Sequence, residues 1–276
     1  MIKEVLWVSN RRFKWQNLYI VVMFLILYAP IFYLIMYSFN EGGDMTGFTG
    51  FTLEHYQTLF QDTRLMTFII NTFIVAILSA LIATIIGTFG AIAIYFNRSK
   101  KQRNTILNLN NVLMVTPDVM MGASFLILFS ILIPVQMGFG TVLIAHIAFN
   151  IPIVVLMVLP RLYEMNPSML TAAQDLGATH GQTVRHIILP SISSGIFAGF
   201  FMAFTYSLDD FAVTFFLTGN GFSTLSVEVY SRARTGISLE INALSALMFL
   251  LALALVVGYY FIQMSEQKRR KAKGAK

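Results

Sequence analysis

Long apolar stretches constrain this chain more than any motif in it. Six of them, at about 18–39, 68–96, 106–133, 141–160, 192–217 and 243–263, reach the roughly 20 residues (range about 17–25) that a helix needs to cross a bilayer. Only 12% of the residues are charged and 57% are hydrophobic, whereas about a quarter of a soluble domain is charged. The expected fold is therefore an all-α integral membrane protein with six transmembrane helices. The chain has no cysteine, which removes disulfide frameworks, thiolate metal sites and thiol nucleophiles. The first stretch follows Arg11, Arg12 and Lys14, as the core of a signal peptide would. It is longer than such a core, no small-x-small cleavage site follows, and it contains Pro30 and the bulky run "FYLIMYSF". It reads as a retained span.

Orientation follows from the basic residues, which favour cytoplasmic loops. With six spans, one side holds the N-terminus (1–17), the "NRSKKQRN" loop after span two, the loop 161–190 and the tail 264–276. Sixteen of the nineteen Lys and Arg residues fall there. Arg64, Arg232 and Arg234 are the exceptions. Both termini are expected in the cytoplasm. The net charge of +6 is read as this orientation signal and not as a nucleic-acid footprint. The basic tail would face anionic lipid. Arg232 and Arg234, in the outer loop 218–242, either touch an external partner or are solvated.

The loop 161–190 is the one long cytoplasmic connection. In "NPSMLTAAQDLGA", Asn166 suits an N-cap, Pro167 the first helical turn and Gly177 a C-terminal exit at positive φ. Thr179 and Gln182 have capping-box spacing and start a second short helix. Val184, Ile187 and Ile188 give that helix an apolar face, and Pro190 marks its join to span five. Ala172 and Ala173 make a small face on the first helix that admits a close neighbour. The loop is either a plain connector or a docking element for a cytoplasmic partner.

The second reading gains from a resemblance. Ala172-Ala173, Gly177 and Ile187-Ile188-Leu189-Pro190 stand at the spacing of the "EAA" loop of ABC-importer permeases, with Thr171 in place of the usual Glu. "NTFIVAILSALIATIIGTFGAIAIY" (71–95) is similar to that family's second-span signature. "MVTPDVMMGAS" (114–124), "SLDDFAVTFFLTG" (207–219) and "SLEINALSAL" (238–247) resemble the C-type permease subunits of polyamine (spermidine/putrescine) importers. The resemblance implies a type I ABC-importer permease fold. It implies as partners a cytosolic ATPase dimer, a second homologous permease and an extracytoplasmic polyamine-binding protein. Thr171, Ala172, Ala173, Asp175, Leu176, Gly177 and Ala178 would form the coupling helix seated on the ATPase. The chain has no Gly-x4-Gly-Lys-Ser/Thr phosphate loop; "GATHGQT" lacks the lysine. ATP and Mg would be bound by the partner, and this chain is expected to be a transport subunit, not an enzyme.

Three aspartates lie in apolar segments. Each costs about 2.5–3.5 kcal/mol at a helix centre, and such residues commonly face a bundle interior or a water-filled path. In span five, Gly195, Gly199, Ala203 and Ser207 form a small-residue stripe suited to close packing. Asp210 falls on that stripe, and Asp209 lies about 100° away. One of the two lines a path while the other holds a neighbouring helix. Asp118 follows Pro117, so "ILNLNNVLMVT" before it is either part of span three or an interfacial helix. Asp118, Asp209, Asp210, Tyr206 and Phe211 are the candidate pathway residues: carboxylates for a cation, aromatics for cation–π contacts. No His-Glu-x-x-His metal pattern exists. His146, in span four, is read as a hydrogen-bonded core residue. An ion-coupled transporter would leave the cytoplasmic loop unexplained, and no nucleophile–base constellation supports a membrane enzyme. Iron, sulfate, thiamine and phosphonate permeases share the scaffold. An anion carrier would place Lys or Arg where this chain places Asp.

Overall fold

The computed structural model describes residues 15–43, 45–219, 221–235, 239–250, 253, 254 and 257. The N-terminal residues before Trp15, the basic tail 264–276 and much of the stretch 243–263 lie outside them. Regular structure among the described residues is helical, apart from the isolated bridges Asn40–Phe51 and Gly219–Phe222. The chain divides into two compact units, Thr63–Ser231 and Met1–Asp62 with Arg232–Lys276.

In the smaller unit, α1 (Trp15–Tyr37) is apolar and is exposed from Leu18 to Pro30. The loop after it is organised by the buried Asn40 side chain. Its amide donates to Gly47 O at 2.9 Å and its oxygen accepts from Thr49 N at 2.8 Å. The short helix α2 (Glu54–Gln61) follows. Arg232 lies 2.9 Å from Asp62 and 3.5 Å from Glu240. It is a bridging residue of this unit, which corrects the reading of it as a solvated charge or an external contact.

The larger unit is built on α3 (Thr63–Phe96), α6 (Phe139–Glu164) and α10 (Ser193–Asp209). The buried residues of α10 are Gly195, Gly199, Ala203 and Ser207, the predicted stripe. A Cβ at Gly195 would sit 2.9 Å from Met157 O, so α10 touches α6 backbone there. Without a hydrophobic drive between helices in lipid, such close packing carries the association.

Two expected spans are not single helices. The stretch 106–133 is split into α4 (Lys100–Val115) and α5 (Asp118–Ile127, continued by a π-helical turn Leu128–Leu132), bent by 104°. Pro117 drives the residue before it out of the helical region; Thr116 has φ −71° and ψ 129°. The stretch 192–217 stops being one helix at Asp209, resumes as α11 (Ala212–Leu217) and leads to α12 (Leu225–Thr235). Among the described residues, three helices are long and apolar enough to cross a membrane, and the two bent pairs raise that to five. The shorter apolar helix α13 (Leu239–Leu250) falls at the sixth expected stretch.

Candidate functional site: an acidic cleft and a polar elbow

At the end of α10 the helix breaks without proline or glycine. Asp210 is extended (ψ 124°), and its carboxylate caps the new helix α11. One oxygen accepts from Val213 N at 3.2 Å; the other accepts from Thr214 N at 2.8 Å and Thr214 Oγ1 at 2.7 Å. Ser226 Oγ donates to Asp210 O at 2.6 Å. Side-chain caps of this kind satisfy the free N–H groups of a helix start. Gly122 of α5 meets α11, where a Cβ would stand 3.0 Å from Ala212 O. This contact brings the start of α5, and Asp118 with it, beside the break.

The result is an open cleft of about 360 Å³ lined by Asp118, Tyr206, Asp209, Asp210 and Phe211, with Met202, Thr205 and Ala212. All five predicted pathway residues are brought together, and no Lys or Arg is among the lining residues. Their environments differ. Asp209 and Asp118 are exposed, whereas the Asp210 side chain is 5% exposed. Tyr206 donates its hydroxyl to Asp118 Oδ1 at 2.7 Å and rests edge-on against Phe149, ring centroids 5.1 Å apart. Phe211 packs against Tyr230 with the rings tilted by 43° and their centroids 4.5 Å apart. A smaller apolar recess of about 100 Å³, lined by Leu113, Met114, Met121, Phe149, Ile153 and Tyr206, shares Tyr206 with the cleft.

Behind the cleft runs a buried polar chain that sequence reasoning missed. Asn150 Nδ2 is 3.5 Å from Ser79 Oγ, and Ser79 Oγ is 2.9 Å from Ser207 Oγ. Ser207 Oγ bonds His146 Nδ1, and His146 Nε2 is 2.9 Å from Thr214 Oγ1. His146 is therefore the bonded core residue expected. Only for Thr214 was there a local signal: in "DDFAVT" its hydroxyl stands four residues after Asp210, within reach of a capping carboxylate.

The elbow is built much as its punctuation suggests. Asn166 Oδ1 accepts from Ser168 N at 3.0 Å at the start of α7 (Ser168–Asp175). Gly177 has φ +76°. Ala178 N donates to Ala173 O and Gly177 N to Gln174 O, both at 2.9 Å, the paired bonds of a Schellman ending. Thr179 N donates to Gln182 Oε1 at 2.8 Å and Gln182 N to Thr179 Oγ1 at 3.3 Å, opening α8 (His180–Thr183). A π-helical turn, Val184–Ile188, precedes α9 (Leu189–Ser191), where Pro190 removes a backbone donor. The chain then bends by 69° into α10. One expectation is corrected: Ala172 and Ala173 do not share an outward face. Ala173 is 5% exposed and packs inward, while Thr171, Ala172, Asp175 and Gly177 are exposed, Ala178 is half-buried and Leu176 is 88% exposed. Ile188 and Ile192 root the elbow in the core cluster that holds Val154, Val158 and Leu162 of α6.

These features define a class: a helical membrane permease domain with a structured polar elbow between two of its long helices and an acidic cleft at a broken one. The chain belongs to the family described as binding-protein-dependent transport system inner membrane component, whose model matches residues 83–271. It is thus a membrane-embedded transport subunit. It is 35% identical to the spermidine/putrescine transport system permease protein PotC of Haemophilus influenzae, over 89% of this chain and 95% of that one. It is 33% identical to the putrescine transport system permease protein PotI of Escherichia coli K12, over 94% of each chain. The fold is similar to that of a bacterial alginate ABC transporter solved with an alginate pentasaccharide-bound periplasmic protein. The TM-score there is 0.70, at 20% identity over 91% of this chain and 93% of that one. The MetNI methionine ABC transporter gives 0.58, at 17% identity over 80% and 98%.

Proposed function

We propose that this chain is one permease half of an ATP-driven importer of polyamines of the spermidine and putrescine type. The carrying observation is the cleft, in which two exposed carboxylates, Asp118 and Asp209, stand beside aromatic rings and no cation. Both Asp210 oxygens are already occupied by Val213 and Thr214, so Asp118 and Asp209 are the acids offered to cargo and Asp210 shapes the site. Protonated amines need such acceptors, and the apolar recess beside Tyr206 suits the methylenes between them. The fold itself does not select cargo: its solved neighbours handle alginate and methionine. The names of the polyamine relatives support the same substrate class.

The elbow is the coupling element. Its exposed Thr171, Ala172, Asp175, Leu176 and Gly177 dock on a cytosolic ATPase that binds ATP and Mg, and its buried root passes the ATPase movement to α6 and α10. A second, homologous permease completes the pathway, and an extracytoplasmic binding protein delivers the polyamine. Both termini face the cytoplasm, as the distribution of Lys and Arg favours.

The test is uptake of labelled spermidine by the complete complex in proteoliposomes. Uptake should require ATP, saturate, and show a KM raised about tenfold in Asp209→Asn, the scale of one lost charge-assisted contact. A complex that hydrolyses ATP but takes up neither spermidine nor putrescine would assign another solute.

A further inference from the structure

The helix break that shapes the cleft is spanned by a residue that does not line it. His146, on α6, is 1% exposed. Its Nδ1 bonds Ser207 in the last turn of α10, and its Nε2 reaches Thr214 in the first turn of α11 at 2.9 Å. One imidazole therefore ties α10, which ends at Asp209, to α11, which starts after Asp210 and Phe211. Nε2 also lies 3.4 Å from Asp210 Oδ2.

The bonding fixes which nitrogen carries the proton. A hydroxyl has one proton to give. Thr214 gives its own to the Asp210 carboxylate, so its oxygen must accept from His146, and Nε2 bears the hydrogen. With a neutral ring, Nδ1 accepts from Ser207, whose oxygen lies 2.9 Å from Ser79 Oγ; the Ser79 hydroxyl also reaches Ala76 O at 3.3 Å. The donors then point one way from Ser207 on α10 through His146 and Thr214 to the Asp210 carboxylate. Buried polar groups are costly unless all are paired. A rotation of α11 against α10 would break the imidazole's bond on one side or the other.

We propose that His146 is a positioning residue for cargo recognition. It staples the end of α10 to the start of α11, and so holds Asp209 and Phe211 in the cleft. The proposal deepens the polyamine reading and rests on it for the identity of the cargo, but the staple is testable without cargo.

The chain has no cysteine, so Ala212→Cys, on the first turn of α11 and lining the cleft, provides a single reporter in this chain, read against the complex without the substitution. In the assembled complex a cationic methanethiosulfonate reagent should react faster there than an anionic one, because the cleft is acidic. His146→Phe keeps a ring of similar size and loses both bonds. His146→Gln keeps one donor and one acceptor. The cationic-over-anionic rate ratio should fall at least about threefold in His146→Phe and stay within about twofold of the parent in His146→Gln. Spermidine KM should follow the same order. If His146→Phe labels like the parent, or better than His146→Gln, the residue only fills space and the proposal is overturned. Should neither variant assemble, Ser207→Ala and Thr214→Val each cut one side of the staple; parental ratios in both would overturn it equally. Retention of the predicted order in a complex that takes up no spermidine supports the staple and removes the polyamine reading alone.

Discussion

The molecule interrupts its helices in two different ways, and the contrast shows how each region works. At the elbow the interruptions are written in backbone chemistry: Pro167 at the start of α7, Gly177 at φ +76° and Pro190 before the bend into α10. These residues impose their geometry whatever surrounds them. At the end of α10 no such residue is present. The break at Asp210 exists because a carboxylate caps α11 and a buried imidazole bonds both flanking helices. The first kind of interruption gives a shape set by the backbone itself. The second depends on side-chain contacts made across helices, so its geometry can respond to what those contacts meet.

The sharpest way to break this comparison is Gly177→Val. A side chain at positive φ costs about 1–2 kcal/mol, and a β-branched one more. The substitution should dissolve the Schellman ending that sets the angle between α7 and α8. Uptake should fall by more than about tenfold, while ATP hydrolysis by the complex continues without responding to loaded binding protein. Uptake and stimulation at parental levels would mean that the elbow's shape does not matter for coupling.

That difference also explains what was legible in the chain. The long stretches, the elbow with its caps, and the buried face of α10 could all be read because periodicity and Pro/Gly punctuation are local. Asp118, Tyr206, Asp209, Asp210 and Phe211 could be singled out, since a carboxylate in an apolar segment needs a purpose, but their meeting in one cleft could not be read. The 104° bend at Pro117 stood as one of two alternatives, because a proline marks a boundary without saying how the next helix is aimed. The end of α10 at Asp209 was not legible as a helix end. It is set by His146 and Ser226, 64 residues before and 16 residues after Asp210. The inward turn of Ala173 was likewise invisible, since it depends on which side of α7 meets the core.

A second test separates the paired acids and sharpens the comparison. Asp210→Asn removes the charge from the cap and leaves only one acceptor oxygen for the three donors that Val213 and Thr214 present. Losing charge-assisted bonds at a buried site costs about 1.5–3 kcal/mol. The thermal midpoint of the purified complex should drop by several degrees, at about 2–4 °C per kcal/mol for a chain of this size. Asp209→Asn should leave that midpoint unchanged and act on KM alone. Equal midpoints for the two variants would remove the assignment of Asp210 as the shaping acid.

The smallest effect is expected where a side-chain cap supports an interruption that the backbone already dictates. Asn166 Oδ1 accepts from Ser168 N at 3.0 Å and Ser168 Oγ at 2.8 Å, yet Pro167 has already set φ for the first turn of α7. Removing an N-cap costs about 0.5–2 kcal/mol, and here the proline should hold the loss at the lower end. Asn166→Ala should therefore lower the thermal midpoint by no more than about 2 °C and leave spermidine uptake within about twofold of the parent. A larger loss of uptake with an unchanged midpoint would place Asn166 in contact with the ATPase itself. In that case the docking surface would begin one turn earlier than the exposed residues from Thr171 to Gly177.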